Sequence, residues 1–151
     1  MMDYIIRRAG LSDLGALVEF TLAEAKEAEG LSLKLEKVQK GIRAALEDEG
    51  VAVYWILEDS RKEAAGHISV VKEWSNWKAG YYWWIQSLYI KPEYRGHGLM
   101  AKLIQAVRKS AKDGQALELR LYVHKSNERA IKAYRKVGFV ESDYRIMRIE
   151  V

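Results

Sequence analysis

The sequence contains no cysteine. A disulfide framework, a thiolate metal site and a cysteine nucleophile are thereby excluded. Proline occurs once, at Pro92, so no proline-rich hinge divides the chain. Three histidines, His67, His97 and His124, are scattered without ligand spacing, and no metal site is expected. No apolar run approaches the ~20 residues of a membrane span, so no membrane partner is expected. The opening MMDYIIRRAG has no long apolar stretch behind its charges, so it does not read as a signal peptide. The expectation is a cytoplasmic protein with one domain over residues 1–151.

What remains is an ordinary globular composition. The chain has 151 residues, of which 49% are hydrophobic and 30% charged, enough for one sizeable core and unlike a disordered chain. The net charge of +4 is unevenly placed. Residues 1–50 hold 7 Lys/Arg against 10 Asp/Glu, whereas residues 91–136 hold 12 against 4. A basic half points to an anionic partner, unless it is simply solvated helix surface.

Hydrophobic periodicity gives alternating strands and helices. Residues 3–8 read as a strand and 12–29 as a helix ending at Gly30. Ser32 is placed to cap a second helix carrying Leu35, Val38, Ile42 and Leu46, which Gly50 closes. Residues 51–58 and 65–72 suggest a hairpin, and 80–90 (GYYWWIQSLYI) is the clearest strand. Helices follow over about 98–112 and 127–137, with a strand at 117–123 between them. Residues 139–150 read as a final strand pair. The order β-α-α-β-β-β-α-β-α-β-β predicts a mixed α/β sheet flanked by about four helices.

The chemistry is concentrated after residue 80. A strong strand ends at Ile90, Pro92 stops further pairing, and Gly96 and Gly98 open a helix. Glycines permit positive φ and close ligand approach. The first amides of a helix have no internal partners and sit at the positive end of its dipole. Strand, glycine turn and helix start make an anion site suited to a diphosphate. Neither the P-loop pattern nor a complete dinucleotide fingerprint is present. Downstream, Asn127 stands where a helix begins, and Tyr134 lies two turns later on nearly the same face. Taken singly, Asn127 reads as a helix cap and Tyr134 as a core aromatic.

Together, Arg95-x-x-Gly98 and Asn127-x-x-Ala130-x-x-x-Tyr134-x-Lys136-x-Gly138-Phe139 resemble the GCN5-related N-acetyltransferase (GNAT) family, and the element order is similar as well. The resemblance implies a mixed, mostly antiparallel sheet with a central parallel strand pair, 80–90 and 117–123, splayed into a V-shaped cleft. It implies acetyl-CoA as co-substrate, with no metal. The loop Arg95, Gly96, His97, Gly98, Leu99, Met100 and Ala101 would hold its diphosphate. Leu88, Tyr89 and Ile90 would offer backbone groups to the pantetheine arm, near a bulge. One of those N–H groups would stabilise the oxyanion of the tetrahedral intermediate. Asn127 would contact the cofactor, and Tyr134 would protonate the departing thiolate.

The same resemblance implies direct attack by a primary amine in a ternary complex, so no protein nucleophile is needed. The acceptor would be a small molecule or a peptide, met by Glu24, Glu27, Trp84 and Gln86. Two departures stand out. Met100 replaces the last small residue of the loop pattern. Gln86 stands where some relatives carry a glutamate base, and a neutral amide cannot take a proton near pH 7; it would orient the amine or a water instead. The resemblance also leaves room for a homodimer. Two rival readings are a non-catalytic acyl-CoA sensor and a nucleic-acid-binding domain. The absence of any base-reading motif argues against the second.

Overall fold

The computed structural model describes residues 3–151. Five strands form one sheet in the order β1 (Ile5–Arg8), β2 (Val53–Glu58), β3 (Ala64–Ser75), β4 (Gly80–Ile90) and β5 (Leu119–Leu121). Neighbours from β1 to β4 pair antiparallel, while β4 and β5 run parallel. Helices α1 (Leu14–Glu29) and α2 (Leu35–Glu47) lie between β1 and β2. Helix α3 (Leu99–Asp113) joins β4 to β5, and α4 (Glu128–Lys136) follows. This is the mixed, mostly antiparallel α/β architecture expected of the sequence. Among the described residues, no helix is long and apolar enough to cross a membrane.

The sheet is covered on both faces. Leu99, Leu103, Ile104 and Val107 of α3 pack with Trp55, Leu57, Ile68 and Trp83. On the other face Leu17 and Val18 of α1 and Ile42 of α2 meet Ile56. Burial from both sides explains why β2 reads as an unbroken apolar run instead of an alternation. Arg7 ties the sheet edge together, donating to Asp13 at 2.9 Å and also to Glu58.

Local signals mostly hold at the element ends. Gly30 closes α1 in the left-handed region at φ 66°, with its N–H on Lys26. Ser32, expected to cap α2, does not. The helix starts later, at Lys34, whose carbonyl accepts from the amides of Lys37 and Val38 at 3.1 Å each. Gly50 sits beyond the helix end, in a turn where its N–H donates to Asp48 Oδ1 at 2.8 Å.

The largest correction concerns the C-terminus. Among the described residues, 139–150 form no strand pair, and none of the five strands lies alongside them. β5 is consequently the edge of the sheet.

Two irregularities of β4 open a gap in the sheet. Ser69 pairs with Ser87 but Val70 with Ile85, so Gln86 is an extra residue that bulges the strand. β5 accompanies β4 only from Trp83 to Ile85. Beyond the bulge the parallel strands part, leaving Leu88 to Ile90 without a neighbour on that side.

Candidate active site

The gap where β4 and β5 part is a cavity of about 570 Å³, walled by α1, the end of β4, the start of α3 and α4. Its floor is backbone. The Leu88 N–H points away from β3 and faces the Glu24 carboxylate at 3.4 Å. The Ile90 carbonyl points the same way and accepts from Arg95 Nε at 2.8 Å. Tyr89 alternates to the opposite side: its carbonyl lies so close to β3 that a Cβ on Gly66 would come within 2.4 Å of it. Of the three residues expected to offer backbone groups, the structure turns Leu88 and Ile90 to the cleft. Tyr89 contributes its side chain, with the hydroxyl donating to Glu27 at 3.4 Å.

The loop after β4 is an unfilled set of donors. Gly96 and Gly98 adopt φ 84° and 71°. Among the described residues, the amides from Gly96 to Ala101 make no hydrogen bond. Unpaired backbone N–H groups need water or a ligand, and several converging ones form an anion nest. Space for a ligand is present, because a Cβ at either glycine would meet no atom within 4 Å. Leu99 is buried in the core. Met100 lines the cavity and also packs against that core, so its bulk leaves the amides accessible. His97 and Ala101 do not line the cavity.

The loop is anchored by a pair that sequence reasoning missed. Tyr94, in the turn before the glycines, donates its hydroxyl to Asp59 Oδ2 at 2.9 Å. Asp59, at the β2–β3 turn, also accepts from the Arg61 amide at 2.9 Å and the Glu63 amide at 3.0 Å. Burial opposes its charge, but these hydrogen bonds outweigh burial and bring its pKa down to about 2. The pair lies 35 residues apart in sequence, and no local pattern announces it.

α4 supplies the remaining wall. Asn127 caps it, Oδ1 accepting from the Ala130 amide at 3.2 Å, and the same residue borders the cavity. Tyr134 also lines the cavity, and its ring meets Phe139 edge-on at 5.8 Å. Burial, with the Glu24 charge adding to it, raises the Tyr134 pKa. The phenol therefore stays protonated at neutral pH and has a proton to give.

α1 also brings Glu24 and Glu27 to the cavity. Burial pushes the Glu24 carboxyl up to about 7; the Leu88 N–H opposes this, and Glu27 and Glu29 add to it. Glu27 accepts from Arg95 Nη2 at 2.8 Å.

Other expected residues lie elsewhere. Gln86 is exposed on its bulge and Trp84 sits further up β4; neither lines the cavity. Trp84 stacks on Tyr122 at 4.5 Å and donates Nε1 to Glu73. His67 is fully buried, hydrogen-bonded to Ser87 at 2.8 Å, and burial lowers its pKa to about 3. A neutral, enclosed imidazole is a core residue and not a base for the cleft. Ala28, Arg129 and Ala133 also line the cavity, and no sequence motif marks them.

The acetyltransferase (GNAT) family model matches residues 16–139. The chain belongs to the GNAT family. It is an N-acetyltransferase by this membership, and GNAT enzymes use acetyl-CoA.

Relatives agree in sequence and in fold. A porcine thialysine N-ε-acetyltransferase is 27% identical over 146 residues, covering 91% of this chain and 85% of that enzyme. The bovine counterpart is 40% identical over 65 residues, 43% of this chain and 38% of its own length. A crystal structure of a possible acetyltransferase from Clostridium difficile 630 superposes with a TM-score of 0.93 at 34% identity, over 98% of this chain and 97% of that one. So wide a match takes in most of the extended C-terminal segment.

Proposed function

We propose that this GNAT member transfers an acetyl group from acetyl-CoA to an aliphatic primary amine by direct attack in a ternary complex. The observation that carries the reading is the run of unpaired amides from Gly96 to Ala101, beside a cavity lined by both a carboxylate and a phenol. The residues fit the co-substrate. The Gly96–Ala101 amides suit a diphosphate, and the cleft-facing groups of Leu88 and Ile90 suit an amide-bearing arm. The volume of about 570 Å³ is that of an ordinary ligand site. When bound, acetyl-CoA supplies an activated thioester, so the protein needs no nucleophile.

The chain's own residues then have three tasks. The Leu88 N–H stabilises negative charge developing on a carbonyl oxygen in front of it. Glu24, poised near neutrality, accepts the proton that the arriving ammonium must lose before it attacks. The second proton, shed as the C–N bond forms, replaces the one Tyr134 gives to sulfur as the C–S bond breaks. Once protonated, Glu24 is neutral, so no second negative charge stands beside that oxygen. Tyr134 returns a proton to the leaving sulfur. Gln86, outside the cavity, has no place in this scheme.

Glu24, Glu27 and Glu29 make the α1 side of the mouth acidic, which favours an amine arriving as a cation. The relatives named for thialysine point to an amine at the end of a short flexible chain. The test is turnover with thialysine, lysine and short diamines, read by a thiol reagent. The protein has no cysteine, so the reagent reports only released coenzyme A. Saturable thiol release with one of these amines is expected. Tight acetyl-CoA binding with no release for any amine would replace this reading with a non-catalytic acyl-CoA sensor.

A further inference from the structure

A chain of polar side chains crosses the sheet where the chemistry proposed above makes no use of it. His67 and Ser69 of β3 are both fully buried. Ser87 of β4 joins them: its hydroxyl oxygen lies 2.8 Å from His67 Nε2 and 2.7 Å from the Ser69 hydroxyl. The Tyr54 hydroxyl stands beside both serines, and hydrogen bonding to them opposes the burial that raises its pKa. The imidazole stacks on Phe20 at 5.8 Å and on Tyr54 at 5.9 Å. Among the described residues, its buried Nδ1 has no hydrogen-bond partner. An apolar side chain would fill the same place and leave no polar atom unpaired.

The direction of the chain follows from burial. The ring is neutral and carries a single N–H. On Nδ1 that hydrogen would be an orphaned donor, the rarer defect in a core. It therefore sits on Nε2 and donates to Ser87, whose own hydroxyl donates to Ser69.

The chain spans the ladder at its irregular point. Ser69 pairs with Ser87 and Val70 with Ile85, leaving Gln86 over. β5 accompanies β4 no further than Ile85, so from Ser87 onward β3 is the only strand beside it. The extra residue decides where the following amides point. Strand amides alternate between the two neighbours. The Trp83 N–H donates to Glu118 on the β5 side, whereas the Lys91 N–H donates to Ala65 on the β3 side. These residues are an even number apart, so in a regular strand both amides would face the same way. The bulge makes the difference. Without it, the Leu88 N–H would turn into the ladder with β3 and leave the cleft, and Ser87 would stand opposite Ile68 on the α3 face.

We propose that the His67–Ser87–Ser69 hydrogen-bond chain locks the bulged register and so holds the Leu88 N–H, on the peptide that follows Ser87, toward the cleft. Only in this register does the Ser87 hydroxyl reach both β3 residues. None of the three touches the reacting atoms; they are positioning residues. Their effect on turnover rests on acetyl transfer with Leu88 as the oxyanion donor, but the register can be read without turnover.

Two readouts on the full chain test it. In Ser87→Ala, amide hydrogen exchange followed by NMR should accelerate about tenfold or more at Tyr89 and Lys91, with the β1–β2 amides at wild-type rates. In thiol-release assays with thialysine, the same variant should lose about tenfold or more in kcat. Its amine KM and acetyl-CoA dissociation constant should stay within about twofold. A loss of packing alone would lower the melting temperature without producing that split. Ser87→Thr keeps the hydroxyl and should recover most of kcat. Ser69→Ala cuts the chain at its other end and serves should Ser87→Ala not fold. Unchanged exchange at Tyr89 and Lys91, or an unchanged kcat, would overturn the proposal. If the wild type released no thiol with any amine, acetyl transfer would fall instead, and the exchange rates alone would decide the register lock.

Discussion

The Glu24 carboxylate stands 3.4 Å from the backbone nitrogen of Leu88. A helix side chain thus takes up a strand amide freed by the parting of β4 and β5, and gives it up to the reacting carbonyl once the carboxylate is protonated. That N–H partly offsets the burial that pushes Glu24 up to about 7. Activity should therefore rise with pH to a plateau above about 7. Glu24→Gln should lower kcat by about 10²–10⁴-fold and abolish this acidic limb, with acetyl-CoA affinity retained by calorimetry. An unchanged pH–rate profile in Glu24→Gln would remove Glu24 from the proton path.

The same group makes a stability prediction. A carboxyl raised in the fold binds its proton more tightly there than in the unfolded chain. Its charge therefore costs nothing below the unfolded value near 4.5 and its full penalty above about 7. Glu24→Gln should melt higher than wild type at pH 8, by up to about 3 kcal/mol in unfolding free energy. The difference should vanish near pH 4, as followed by denaturant titration at both pH values.

Tyr134→Phe keeps the ring against Phe139 and removes the proton donor. Its kcat should fall by about 10²-fold or more, while the acetyl-CoA dissociation constant changes little. If an amine whose attack is already fast shows no loss, the phenol is not the acid.

Gly98→Ala introduces a side chain at φ 71°, where no atom lies within 4 Å. The cost is strain alone, about 1–2 kcal/mol of stability. The new methyl takes up open space in the loop expected to hold the diphosphate, so acetyl-CoA binding should weaken by more than the stability loss accounts for. Thermal shift with and without the co-substrate separates the two effects.

Arg95 is held by Glu27 at 2.8 Å as well as by the Ile90 carbonyl. Glu27→Gln releases the guanidinium from a competing carboxylate. Acetyl-CoA should bind a few-fold tighter at low salt, with the gain shrinking as salt is raised.

Local rules carried most of the fold. The strand at 80–90, the glycine-opened helix after it and the capped helix at Asn127 were legible because their signals lie within a few residues of one another. The pairing of Arg95-x-x-Gly98 with the Asn127–Phe139 pattern made the family legible too. Long-range consequences were not. The family resemblance places Gln86 at the chemistry, whereas the structure has it exposed at a bulge and not lining the cavity. Glu24 is expected from the sequence only as a residue that meets the acceptor. Burial by the surrounding fold, which no helical spacing reports, turns it into a group that titrates near 7.

The sequence by itself determined the elements, their order and the glycine turn, because these follow from periodicity, propensity and backbone stereochemistry over short spans. Only the tertiary structure decided which amides were left unpaired, which carboxylate lost its water and whether the last strand had a neighbour. Those outcomes depend on what packs against each group from distant parts of the chain. For the tail beyond Phe139, the described residues offer one ion pair, Arg135 with Glu141, and no neighbouring strand.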